Sequence, residues 1–215
     1  MEYLCCVKYN KVVSNTQINS NHYIIKIRLK QPVEFYPGQY IAFYIGNVKR
    51  AYTPIHIDYS TNILTFLIKS YPDGELSYKI CNTYKPDTRV ILKGPWGNKY
   101  YDEDTDTFKC NNKIILNRYI LMFSCGTGIT PFYSIITNLC RYSKYNVSLY
   151  ASFRTRADIL LNDIEMTTFI SDENNRLTAE KIYNITSKYL DAIVCVCGTE
   201  SYMDLFKNID NVIYF

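Results

Sequence analysis

Ser124-Cys125-Gly126-Thr127-Gly128-Ile129-Thr130-Pro131 constrains the fold of this chain more than any other stretch. It follows residues 118–123, an apolar run of strand length. It precedes Phe132, Ile135, Ile136 and Leu139, spaced as one face of a helix. A strand that turns through two glycines into a helix turns backbone N–H groups and the positive end of the helix dipole outward. That arrangement suits an anion, normally a nucleotide phosphate. Thr130 and Pro131 read as an N-cap followed by a first-turn proline. A plain strand–turn–helix corner fits the same residues, so the flanking chain has to decide.

From residue 118 onward the pattern alternates. Residues 147–153 read as a strand and 178–190 as a helix with Ile182, Ile185 and Tyr189 inward. Residues 192–196 are apolar on both faces, as a central parallel strand should be, and Gly198 ends that run. A helix over 202–208 and a last strand over 211–215 complete a parallel-sheet α/β pattern with ligand loops at the strand ends. The first hundred residues are different. Residues 22–30 alternate, with Ile25, Ile27 and Leu29 on one face and Lys26, Arg28 and Lys30 on the other. Further strands over 40–45, 50–57, 63–69 and 89–93 come between turn signals, with one short helix over 76–82. Frequent strands with little helix between them predict a small antiparallel barrel. The acidic stretch 102–106 reads as a boundary or exposed hairpin. The expected layout is a barrel over 1–104, a linker or hairpin over 105–117 and an α/β domain over 118–215.

Composition narrows the function. The 215 residues are 47% hydrophobic with a net charge of +4, enough for one large core or two modest ones. No run reads as a membrane span or an N-terminal signal, so the expectation is a cytoplasmic chain, peripheral to a membrane only through a partner or acylation of Cys5 or Cys6. Buried thiols in an early strand are the simpler reading of that pair. The eight cysteines form no Cys-x-x-Cys and have no histidine nearby, which argues against a metal or iron–sulfur centre. The 22 tyrosines are spread evenly and Lys and Arg are scattered, which argues against nucleic acid.

Four separated motifs then resemble one superfamily, the ferredoxin-reductase-like flavoenzymes, and within it the NADH–cytochrome b5 reductases. They are Arg50-Ala51-Tyr52-Thr53-Pro54, Gly74-Glu75-Leu76-Ser77, the 125–131 stretch with Gly126, Thr127, Gly128, Thr130 and Pro131, and Cys197-Gly198 with Met203 downstream. Gly94-Pro95-Trp96-Gly97 and the aromatic Phe215 fit as well. The likeness implies an FAD-binding barrel followed by a Rossmann-like NAD-binding domain. Arg50 supplies a fork to the FAD phosphates, and the N–H groups at Leu76 and Ser77 supply the rest. Tyr52 packs on the flavin, Thr53 approaches the flavin atom that accepts hydride, and Leu67, Lys69 and Tyr71 line the cofactor. Cys197 lies near the flavin–nicotinamide junction and Phe215 closes on the flavin. Ordinary core packing is the alternative for Tyr52, Tyr71, Cys197 and Phe215.

Some positions depart from the b5-reductase pattern. Tyr40 replaces a histidine, Glu75 a basic residue and His56 a small one. Residues 199–202 replace a proline-rich loop, and the segment between Phe169 and Thr178 is short. Asp172 stands where NADPH-using relatives place arginine and disfavours a 2′-phosphate, which points to NADH. Arg154 and Arg156 argue the other way unless they only cover surface with their stems. The resemblance implies hydride transfer from NADH to FAD, then single electrons to cytochrome b5 or a b5-like haem protein, in a monomer. Lys26, Arg28, Lys30 and Lys49 are candidates for steering an acidic partner, or simply a solvated face. The same fold could serve ferric chelates, quinones or another metalloprotein, or persist as a non-catalytic nucleotide-binding module.

Overall fold

The computed structural model describes residues 6–140 and 142–215, with side chains from Asn10 onward. Cys5 and the Cys6 side chain lie outside the described residues. Two compact units emerge, Met1–Asn98 and Lys99–Phe215.

The first unit contains β1 (Cys6–Gln17), β2 (His22–Arg28), β3 (Tyr40–Ile45), β4 (Val48–Tyr52), β5 (His56–Asp58), β6 (Ile63–Lys69), α1 (Glu75–Thr83) and β7 (Arg89–Trp96). The strands pair antiparallel in the order β4-β3-β7-β1-β2-β6-β5. In a flat sheet β3 and β6, four steps apart, would be separated by about 19 Å. Instead Phe43 of β3 and Phe66 of β6 meet edge to face at 5.0 Å between ring centres. The sheet is therefore rolled into a barrel around one core, with Ile25, Ile27, Leu64, Ile68, Val90 and Leu92 inside. The alternation over 22–30 has the expected outcome: Ile25, Ile27 and Leu29 are buried, and Lys26, Arg28 and Lys30 are exposed.

The anticipated strand over 50–57 is two strands. It breaks at Thr53-Pro54, where proline has no N–H to donate, and pairing resumes through the bond from Ile55 N to Thr65 O, 2.8 Å. Helix α1 plugs the barrel with Leu76, Ile80 and Cys81. Its C-terminal carbonyls are met from β1, where Asn15 Nδ2 donates to Ile80 O (3.1 Å), Cys81 O (2.9 Å) and Tyr84 O (2.9 Å). Asn15→Ala is expected to cost about 2 kcal/mol by stranding those carbonyls. Asn15→Asp should cost more, because a carboxylate would face three acceptors. Urea unfolding of both variants measures this.

The second unit begins with a meander of β8 (Lys99–Asp102), β9 (Thr107–Cys110) and β10 (Lys113–Ile114). By contact the division falls at Asn98/Lys99, before the expected 104, and the hairpin packs with the α/β layer. Tyr101 and Phe108 are buried, Phe108 meets Tyr145 at 4.9 Å, and Tyr145 Oη donates to Ile115 O, 2.9 Å. The acidic stretch is also tied inward. Asp106 accepts from Tyr101 Oη and Ser143 Oγ, each at 2.7 Å, and Asp102 from Lys109 Nζ at 2.7 Å.

After the meander come β11 (Tyr119–Cys125), α2 (Thr130–Thr137), β12 (Asn146–Phe153), β13 (Thr167–Ile170), α3 (Ala179–Thr186), β14 (Ile193–Cys197), α4 (Glu200–Met203) and β15 (Val212–Tyr214). These five strands are parallel in the order β13-β12-β11-β14-β15. The chain leaves β11 toward β12 on one side and returns to β14 on the other. That reversal puts a crevice at the carboxyl ends of β11 and β14. Thr178 caps α3 by accepting from Lys181 N, 3.3 Å, and Ile182, Ile185 and Tyr189 face the core as the spacing predicts.

Candidate functional site

The crevice in the second unit is where the 125–131 stretch and Cys197-Gly198 converge. The turn after β11 is itself a short 3-10 helix, Gly126–Ile129, running directly into α2. Thr130 is therefore inside the helical run, not at its N-cap. Its Oγ1 donates back to Thr127 O, 3.0 Å, and Pro131 sits in the first turn, where a missing N–H costs nothing. Two glycines are needed for different reasons. Gly126 has φ +55°, with open space where a Cβ would stand. Gly128 has an ordinary φ, but its Cβ would fall 2.5 Å from Cys197 O and 2.9 Å from Cys197 C. The glycine turn thus lies directly on the Cys197-Gly198 end of β14, and Ser124 pairs with Cys197 across the two strands. A side chain at Gly198 would in turn meet Tyr202 and the Cβ of Cys125.

Cys197 keeps part of its surface open. Burial pushes its thiol up to about 12, Cys125 adds to the rise and Lys99 opposes it. It is a neutral thiol near pH 7, fit for contact and not for nucleophilic attack. Phe215 is fixed by its N–H to Val196 O, 2.8 Å, and by an edge-to-face contact with Phe132 at 5.2 Å; Lys99 Nζ also bonds Tyr214 O. Met203 ends α4 half-buried against the core.

In the first unit, Arg50, Ala51 and Tyr52 end β4, with Arg50 and Ala51 exposed. The Arg50 guanidinium donates one bond to Lys49 O, 2.8 Å, and meets no carboxylate among the described residues. Tyr52 packs edge to face on Phe43 at 5.1 Å, and burial raises its hydroxyl pKa. Thr53 and Pro54 are buried. Leu67 and Lys69 lie on the face of β6 opposite the barrel core, Leu67 buried and Lys69 half-buried; Tyr71 is exposed. Gly74 precedes α1, and no side chain caps that helix, so its first-turn N–H groups have no side-chain acceptor. A Cβ on Gly74 would stand 2.4 Å from Ser77 Oγ and 3.1 Å from Tyr71 O, so the approach to the helix end is closed to larger residues. Of the departures, Glu75 is exposed in the first turn, Tyr40 starts β3 half-buried, and His56 is exposed on β5.

Residues 10–101 match the family profile of the oxidoreductase FAD-binding domain. The match spans almost all of the first unit. The residues of that unit fit FAD on three counts: a guanidinium with no carboxylate partner among the described residues, an uncapped helix start and a glycine cradle that a Cβ would fill. Over 184 residues the chain is 28% identical to NADH-cytochrome b5 reductase 1 of Lodderomyces elongisporus, covering 80% of this chain and 56% of that protein. Over 120 residues it is 32% identical to NADH-cytochrome b5 reductase 2 of Yarrowia lipolytica, covering 55% of this chain and 37% of that one. The chain thus spans about half or less of the length of these relatives. In fold it is ferredoxin-reductase-like. It resembles the cytochrome b5 reductase domain of Ulva prolifera nitrate reductase with a TM-score of 0.76 at 18% identity, covering 97% of both chains. A flavohemoglobin from Malassezia yamatoensis matches with a TM-score of 0.73 at 17% identity, covering 97% of this chain and 59% of that one.

Beyond the first unit, an open hollow lies in the second unit at the carboxyl ends of its strands, lined by Cys125, Ser152, Arg154, Ser171, Arg176 and Thr199 among others. Asp172 is in a 3-10 turn after β13, not on the strand, with a carboxylate oxygen 3.7 Å from Arg154 Nε. Arg156 grips Glu173 through two bonds, Nε at 2.5 Å and an Nη at 2.8 Å. The two arginines weighed from sequence therefore each meet an acid of this turn, Arg154 the weighed Asp172 and Arg156 its neighbour Glu173. Arg176 carries no sequence signal, since it stands in a non-periodic turn. Only the register of β13 brings it to the hollow.

Burial gives the thiols a pH consequence. Those of Cys81 and Cys195 are pushed up to about 12 from 9.0, by burial in both cases, with Cys110 adding and Lys99 opposing at Cys195. Above pH 9 the unfolded chain ionises these thiols while the native chain keeps them protonated, so stability falls as pH rises toward 12. At pH 10.5 each withheld ionisation costs about 2 kcal/mol. The drop in urea-unfolding stability between pH 8 and pH 10.5 should shrink by about that amount in Cys195→Ala.

Proposed function

We propose that this chain is the flavin- and nucleotide-binding core of an NADH-dependent reductase of the cytochrome b5 reductase type. The observation that carries the reading is the seating of Gly128 on Cys197-Gly198 at the switch point of a parallel sheet, in a chain whose first unit is an FAD-binding domain. In this reading Arg50 and the first turn of α1 hold the FAD phosphates. The Gly126-Thr127-Gly128 turn and the start of α2 hold the NADH pyrophosphate. When bound, FAD supplies the redox chemistry, accepting a hydride and releasing electrons singly. Thr53 offers a buried hydroxyl to the flavin ring, with Tyr52, Leu67, Lys69 and Tyr71 around it. Cys197 orients the nicotinamide as a neutral thiol, and Met203 supports that end. No side-chain acid or base is required. His22 is buried with Nδ1 3.0 Å from Asn19 Oδ1, and His56 is exposed on β5.

The acceptor in this reading is cytochrome b5 or a b5-like haem protein. The names of the curated relatives support it, and the exposed row Lys26, Arg28, Lys30, with Lys49 on another strand, gives an acidic partner a basic surface. Among the described residues no helix is long and apolar enough to cross a membrane. Purified protein should be yellow, bleach on anaerobic addition of NADH, and then reduce b5 haem. Colourless protein that cannot be reconstituted with FAD would reject the enzyme in favour of a nucleotide-binding module.

A further inference from the structure

We propose that the nucleotide site accepts NADPH as well as NADH, with Arg176 holding the 2′-phosphate. The inference rests on the nucleotide reading above. A dinucleotide with its pyrophosphate on the turn after β11 runs its adenosine outward over the ends of β12 and β13. Arg154 follows β12, Ser171 follows β13, and both line the hollow at that end together with Arg176. A 2′-hydroxyl is met by an acid and a 2′-phosphate by arginine. Two arginines line the hollow, and the acid, Asp172, stands beside it with a carboxylate oxygen 3.7 Å from Arg154 Nε.

The three arginines of these turns are not equivalent. Arg156 is committed to Glu173 through its two-bond fork. Arg154 is held loosely by Asp172 at 3.7 Å, with 81% and 54% of the two side chains exposed, a pairing that costs little to break. Arg176 is exposed, lines the hollow and meets no carboxylate among the described residues. Its placement is built into the turn. Asn174 takes a left-handed φ of 56°, Asn175 N bonds Ile170 O at 3.1 Å, and Asp172 N bonds Arg154 O at 3.1 Å. The chain is thereby reversed between the acid and Arg176. Asp172 serves the hydroxyl of NADH. Arg176, with Arg154 released from Asp172, serves the doubly charged phosphate of NADPH.

The test is calorimetric titration of the flavin-loaded full chain with 5′-ADP and with 2′,5′-ADP, which need no turnover. Wild type should bind 2′,5′-ADP within about tenfold of 5′-ADP, or more tightly. Arg176→Ala should weaken 2′,5′-ADP by about tenfold or more and 5′-ADP by less than about threefold, and Arg176→Lys should recover part of the loss. Wild-type discrimination of about 100-fold against 2′,5′-ADP overturns the proposal, as does an equal loss for both ligands in Arg176→Ala. Either result leaves the NADH reading standing. If neither ligand binds while FAD stays with the protein, the proposal falls together with that reading.

Discussion

Gly128→Ala should abolish NADH-driven reduction while the protein keeps its FAD. The added methyl group would stand 2.5 Å from Cys197 O and 2.9 Å from Cys197 C, well inside contact distance. Neither side can give way cheaply. The carbonyl belongs to the end of β14, which pairs with β11 and β15, and Gly128 lies in the 3-10 turn that leads straight into α2. The turn must move by an ångström or more, carrying with it the N–H groups proposed to meet the pyrophosphate. Displacements of that size at a reacting centre cost about 100-fold, so kcat/KM for NADH should fall at least that far. Flavin absorbance per protein should stay at the wild-type level, because Arg50 and the first turn of α1, proposed to hold the FAD phosphates, are in the other unit. Gly126→Ala is the control. Its φ of +55° is strained for alanine, yet nothing lies within 4 Å of the new Cβ, so the cost should be only about 1–2 kcal/mol of stability. Stopped-flow flavin reduction compares the two. A Gly128→Ala protein reduced near the wild-type rate would show that the nucleotide does not use this turn.

What could be read from sequence was the part encoded by periodicity. The alternation over 22–30 predicts its buried face, and the doubly apolar run 192–196 predicts a central strand, which β14 is, between β11 and β15. Errors arose where a side chain has two local roles. Thr130 is as good a donor to a preceding carbonyl as it is an N-cap, and the glycine turn had already become helical before it. The strand over 50–57 looked continuous because its side chains favour β structure, but Pro54 forces a break that apolar content does not register. Charge misled too. The stretch 102–106 reads as a boundary or exposed hairpin and does turn between β8 and β9, yet Asp102 and Asp106 also anchor that hairpin through Lys109, Tyr101 and Ser143. The adenosine end of the proposed nucleotide site is the least legible in sequence. Which acid meets which arginine depends on two turns 17 residues apart in sequence, and no local pattern records that register.

Arg50→Ala should release FAD without unfolding the first unit. The side chain is exposed at the end of β4, where substitutions usually change stability by no more than about 0.5 kcal/mol. Its guanidinium spends one bond on Lys49 O and has no acid to neutralise among the described residues, which leaves the fork available to a phosphate. Two charge-assisted bonds at about 1.5 kcal/mol each amount to roughly a 100-fold rise in the FAD dissociation constant. Arg50→Lys keeps the charge and loses the fork, so it should fall between, at about tenfold. Gel filtration followed by flavin fluorescence of the protein fraction reads all three proteins at once. Thermal unfolding of the apo forms then separates a lost ligand from a damaged barrel. If Arg50→Ala eluted with equimolar FAD, the first turn of α1 would be holding the phosphates alone. Glu75 in that turn would then be the next residue to question, since its carboxylate lies beside the N–H groups that would have to suffice.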